Sequence, residues 1–186
     1  MTFSNGTLIN AAALNGGAMV LLDSQALTSA QSSISLSVPA GFSRLKVFWR
    51  CRSAFSATGV QLYVQLNGDS GGNYLWQLVQ GNNSSAAALS SGTAVDEMQL
   101  GTIAAASASS GYFSSGEFTI DGASDTGNGK TLVGTGAAFS SVSNSWAGTY
   151  AGFWSGLASV NSITIFGGSG GDLVAASTAS VWGLAA

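Results

Sequence analysis

The chain has 186 residues; glycine, serine and alanine fill 85 of them, and only 7% are charged, against roughly 25% in an ordinary domain. It has no histidine, one cysteine (Cys51) and five basic residues against eight acidic ones. That composition excludes a Ser-His-Asp triad, a Cys-His dyad, a His-ligated zinc site, an internal disulfide and the broad cationic footprint of a nucleic-acid binder.

No apolar run approaches the ~18 residues of a bilayer span. With 46% hydrophobic residues and a mean hydropathy of +0.33, the chain also lies far from the disordered class. Residues 1–16 read as a small-polar N-terminal arm, either loose or laid on a neighbouring subunit. Its opening, Met1 to Gly6, lacks the basic and apolar regions of a secretory signal, so no export by that route is expected. Residues 17–186 read as a single β-sandwich domain.

Within that domain period-2 alternation dominates and helical periodicity is nearly absent. In chain order the expected strands are Ala18–Leu22, Ser33–Val38, Arg44–Arg52, Val60–Leu66, Asn73–Val79, Val95–Ile103, Gly116–Asp121, Thr131–Val142, Thr149–Trp154, Val160–Phe166 and Ser180–Leu184. In Arg44–Arg52, Leu45, Val47, Trp49 and Cys51 point to one side and Arg44, Lys46, Phe48, Arg50 and Arg52 to the other. In Val60–Leu66 the four aliphatics face the core and Gln61, Tyr63 and Gln65 face out. The turn Asn67–Gly72 is expected to join this strand to Asn73–Val79 as a hairpin. Gly81–Thr93 reads as a long mobile loop, and the alanine triplets 11–13, 86–88 and 104–106 read as loops, too short and too interrupted for helices. Clusters of Gly, Ser, Asn and Asp punctuate the strands, and connections this short cannot hold crossover helices. The fold class is therefore all-β, an antiparallel sandwich or barrel.

Three constellations stand out. Arg44, Lys46, Arg50 and Arg52 put four of the five basic residues on one face of one strand. Such a row is either paired with carboxylates on adjacent strands or forms a docking edge for an acidic partner surface. In the segment 146–156, Trp146, Tyr150 and Trp154 alternate with Gly148, Gly152 and Gly156 along one face. These rings either pack in the core or stack on sugars. The loops Asn67–Asn73 and Asp121–Asn128 offer several oxygen donors, which suit either Asx-turns or calcium. The acidic residues show no spacing that selects a glycosidase pair. Cys51, on the core side, reads as a small buried apolar residue. Neither catalysis nor a cofactor is expected. So few charges on a folded chain point to a surface covered in an assembly, or to one kept soluble by hydroxyls and amides.

Three segments carry a family resemblance. Leu62–Tyr74, an alternating strand that ends in Asn-Gly-Asp and returns through Asn-Tyr, resembles segments of tailed-bacteriophage virion proteins and tail-fibre domains. Leu157–Phe166, with its small-apolar run into an alternating Ile-rich strand, and the close Ala179–Leu184 are similar to the late strands of that family. The resemblance implies an antiparallel β-sandwich of jelly-roll type that works by assembling on a virion, usually as a homotrimer. It transfers no catalytic residues. A compact unit with an arm and no fibrous stalk suits a capsid decoration (cement) protein, which stabilises the head against the major capsid protein. The alternative within the family is a tail-associated protein that binds a host glycan through rings such as Trp76, Trp146 and Tyr150. In either case the expected location is the virion, assembled in the host cytoplasm.

Overall fold

The computed structural model describes residues 19–185; the arm expected at 1–16 lies outside them. Within this span twelve strands form: β1 (Met19–Ala26), β2 (Ser33–Ser37), β3 (Phe42–Cys51), β4 (Gly59–Leu66), β5 (Tyr74–Asn82), β6 (Ser85–Ser90), β7 (Met98–Ala104), β8 (Ser114–Asp121), β9 (Lys130–Ser141), β10 (Asn144–Trp154), β11 (Ser162–Gly167) and β12 (Thr178–Ala185). They make two antiparallel sheets, one of eight strands in the order β1-β12-β3-β8-β9-β10-β5-β6 and one of four in the order β2-β11-β4-β7. The only helical element among the described residues is a 3-10 turn at Gly168–Gly170. The all-β antiparallel sandwich expected from the alternation is the architecture found.

The core is the slab between the sheets. From the smaller sheet come Ile34, Leu36, Leu62, Val64, Leu66, Met98, Leu100, Ile163 and Ile165; from the larger come Leu45, Val47, Trp49, Phe118, Ile120, Leu132, Tyr150, Trp154 and Val181. Each set follows from alternation: in β3 the residues at 45, 47, 49 and 51 are buried while Phe48 and Arg50 are exposed. Cys51 is fully buried, and burial pushes its thiol up to about 12, so it stays protonated and inert. Gly101 sits at φ 104 in β7, where the β4–β7 register shifts. Only glycine takes that backbone conformation cheaply, so it accommodates the bulge.

Two expectations fail. β4 and β5 do not form a hairpin: β4 pairs with β11 and β7, and β5 with β10 and β6. The loop Asn67–Asn73 instead carries the chain from one sheet to the other. Tyr74 secures the crossing, because its hydroxyl accepts the Leu66 N–H at 2.8 Å and lies 3.2 Å from the Asp69 carbonyl. Alternation in both runs is satisfied equally by pairing or by facing one another across a core, so it could not distinguish the two.

Gly81–Thr93 is not a loop, and Ala86–Ala88 are not loop residues. β5 continues to Asn82, a two-residue turn at Asn83-Ser84 follows, and β6 pairs back from Asn82↔Ser85 to Gln77↔Ser90. Asn83 takes φ 51 in that turn, the left-handed conformation that asparagine tolerates and tight hairpins require.

Candidate interaction surface

The outward face of the eight-stranded sheet spans the larger of the two sheets, and its composition follows from register. Across it, Ser115, Ala137, Ala147, Gly81 and Ala86 line up on five successive strands. The neighbouring row holds Phe48, Glu117, Thr135, Thr149 and Val79. Between the two rows runs a shallow trough of about 840 Å³. A second groove, of about 490 Å³, lies where Leu75 faces Phe153 across β5 and β10, with Gln77, Ser90 and Ser91 on its rim. Phe48, Leu75, Val79, Val133 and Phe153 are all exposed on this face, Val79 at 58% and Val133 at 53%. A solvated antiparallel face ordinarily carries polar residues at such positions.

The basic stripe lies on this face, and the chain itself occupies every member of it. Arg44 pairs with Asp121 of β8 at 2.5 Å, and Lys46 pairs with Glu117 of the same strand. The Arg50 guanidinium lies 3.9 Å from the centre of the Phe113 ring and donates to the Ala176 carbonyl. Arg52 donates to four carbonyls, those of Ala106, Ala108, Ser109 and Tyr112, and thereby ties the 106–112 loop to the end of β3. A guanidinium with that many carbonyl partners holds a loop in place and is not free to meet another protein.

The aromatic-glycine face points into the sandwich. Tyr150 and Trp154 are buried, and the Trp146 ring closes over Gly59, where an added Cβ would come within 3.0 Å of it. Tyr150 donates its hydroxyl to the Glu117 carbonyl at 2.9 Å, and burial raises its pKa. Glycines make room for these rings: an added Cβ at Gly134 would meet the Tyr150 ring at 2.5 Å, and one at Gly136 the Trp49 ring at 3.0 Å. Sugar stacking on Tyr150 or Trp154 is therefore excluded by burial, and Trp76 is itself half-buried.

The two oxygen-rich loops meet at Trp154. Its indole N–H donates to the Asp69 carboxylate at 2.7 Å, and Gly71 N–H and Asn73 Nδ2 donate to the same group. The Trp154 bond, working against burial and reinforced by Gly71 and Asn73, holds that carboxyl below the ordinary carboxylate range. From the other loop Lys130, fully buried, directs its ammonium into a cup formed by the carbonyls of Asp125 at 2.8 Å, Asn128 at 2.7 Å and Gly156 at 3.4 Å. The same ammonium lies 5.6 Å from the Trp154 ring. Burial draws the Lys130 pKa down, against the pull of Asp125. Of the loop oxygens considered for calcium, the Asp69 carboxylate thus serves the indole, the Asp125 and Asn128 carbonyls the ammonium, the Asp121 carboxylate Arg44, and Asn67 Oδ1 the N–H groups of Asn161 and Ser162. Among the described residues no group of three or more His, Cys, Asp and Glu converges.

The exposed apolar positions of β5, β9 and β10 were missed in the sequence reading. Their signal was present: Leu75, Trp76, Leu78 and Val79 put apolar residues on both faces of one strand. Together the fold and this surface describe an antiparallel β-sandwich with one broad face whose basic residues are all engaged within the chain. No protein-family model, curated protein or solved structure matches the chain.

Proposed function

We propose that this protein is a structural component that works by assembly, and specifically a bacteriophage virion protein of the capsid-decoration type, seated on the major capsid protein. One observation carries the reading: the outward face of the eight-stranded sheet exposes Phe48, Leu75, Val79, Val133 and Phe153 among Ser, Thr and Ala, and the cations there are already engaged, Arg44 and Lys46 by carboxylates and Arg50 and Arg52 by a ring and backbone carbonyls. Eight strands at about 4.8 Å spacing, averaging about 30 Å in length, present about 1,100 Å². A standard protein interface takes about 800 Å² per partner. Such a face suits coverage by another protein surface better than recognition of a small charged ligand.

The strand order supports the jelly-roll form of the sandwich. The order β2-β11-β4-β7 faces β3-β8-β5-β6, with the β9–β10 hairpin inserted between β8 and β5. The family resemblance of Leu62–Tyr74, Leu157–Phe166 and Ala179–Leu184 supplies the virion setting, and burial of Tyr150 and Trp154 counts against the glycan-binding alternative. Antibody against the folded protein is expected to label intact, purified virions over the head. Signal confined to the tail would revive the receptor reading, and signal absent from particles would remove both.

A further inference from the structure

We infer that the edge of β6, unpaired among the described residues, is a pairing site for β6 of a second copy, joining two eight-stranded sheets across a two-fold axis. This inference does not rest on the virion reading.

Among the described residues there are four sheet edges, and three are protected. β1 is interrupted by a register shift between Leu21 and Asp23, and the Asp23 carboxylate accepts the Ser37 N–H of β2 at 2.8 Å, so these two edges close on each other. β7 is buried along nearly its whole length, packed against β5, β9 and β10. β6 has none of these devices. Its six residues, Ser-Ala-Ala-Ala-Leu-Ser, are all exposed and carry no charge, proline or bulge. Unprotected neutral edges are templates for strand addition, which is why proteins ordinarily blunt them.

Register decides which atoms are on offer. Asn82 and Ser85 flank the two-residue turn and so exchange hydrogen bonds. The same phase continues to Ser91, whose N–H reaches the Trp76 carbonyl at 3.1 Å. Residues 85, 87, 89 and 91 therefore direct their amides to β5, and Ala86, Ala88 and Ser90 direct theirs outward. In a continuous antiparallel sheet, opposed residues share a face. Pairing Ala88 with Ala88 of the second copy, and Ala86 with its Ser90, satisfies both conditions and forms six N–H···O bonds.

A second copy is the occupant because the segment complements itself: every opposed pair in this register is uncharged, with Ala88 meeting itself, Ala86 meeting Ser90 and Ala87 meeting Leu89, so no like charges meet. The contact is only about 20 Å long, well short of a standard interface. Association is therefore weak in dilute solution and grows with concentration.

Two measurements test this. Sedimentation across a concentration series up to millimolar should show reversible dimer formation. Ala88→Pro removes an outward N–H that β5 does not use, so the fold should survive by circular dichroism while association weakens at least about tenfold, a change of about 1.4 kcal/mol. Should the proline variant misfold, Ala88→Lys sets two like charges on the axis and should have the same effect. For the second measurement, opposed Cα atoms about 5.5 Å apart lie within disulfide range. Ala88→Cys should accordingly cross-link in air, whereas Ala86→Cys, about 14 Å from its own copy, should not. A chain that stays monomeric throughout, an association indifferent to both substitutions at 88, or equal cross-linking at 86 and 88 overturns the inference.

Discussion

The middle of the eight-stranded sheet and its β6 margin draw on the same small residues and reach opposite physical states. At the centre, Gly116, Gly134 and Gly136 lie beneath the rings of Trp49 and Tyr150, and the missing side chains are the space those rings fill. At the margin, Ala86–Ala88 face no ring, every β6 side chain is exposed, and hydrogen bonds to β5 are what hold the strand. A small residue opposite a large one is part of a packed core. With nothing opposite, it leaves the backbone as the only group able to bind.

The largest effect expected from this contrast is at the centre. Gly134→Val would press a branched side chain onto the Tyr150 ring and the Glu117 carbonyl; a loss of more than about 3 kcal/mol in urea unfolding is expected. An unchanged midpoint would mean the rings are loosely held and the contrast is false. An intermediate effect is expected where the central strand begins. Lys130→Met leaves three carbonyls without their cationic donor and should cost about 2–3 kcal/mol, read in the same assay; a loss below about 0.5 kcal/mol would show that water replaces the ammonium freely. The smallest is at the margin. Leu89→Ala in β6 should cost under about 0.5 kcal/mol in dilute protein, whereas a buried leucine loses about 2–5 kcal/mol. A loss in that higher range would mean β6 is packed against something after all.

The same contrast explains what was legible. β3, β4 and β11 bury one face against a full core, so their alternation marked them, and Cys51 was placed correctly on the inner side. β6 buries neither face, and a strand without a buried face has no alternation to read. The basic stripe was found because Arg44, Lys46, Arg50 and Arg52 are neighbours in sequence. Its partners Glu117 and Asp121 lie 71 and 77 positions away from Lys46 and Arg44, and only the β3–β8 register joins them. The Trp154 junction was hidden for the same reason, since Asp69, Lys130 and Trp154 come from three distant segments.

Lys130 has a consequence of its own. A loop of backbone carbonyls that closes on a dissolved ion depends on the supply of that ion, whereas the cation here is tethered to the chain. It cannot be chelated, diluted or exchanged, so the cation that fills this cup does not depend on the ion content of the medium. Its remaining weakness is alkali: burial makes this ammonium give up its proton at a lower pH than a lysine in open water.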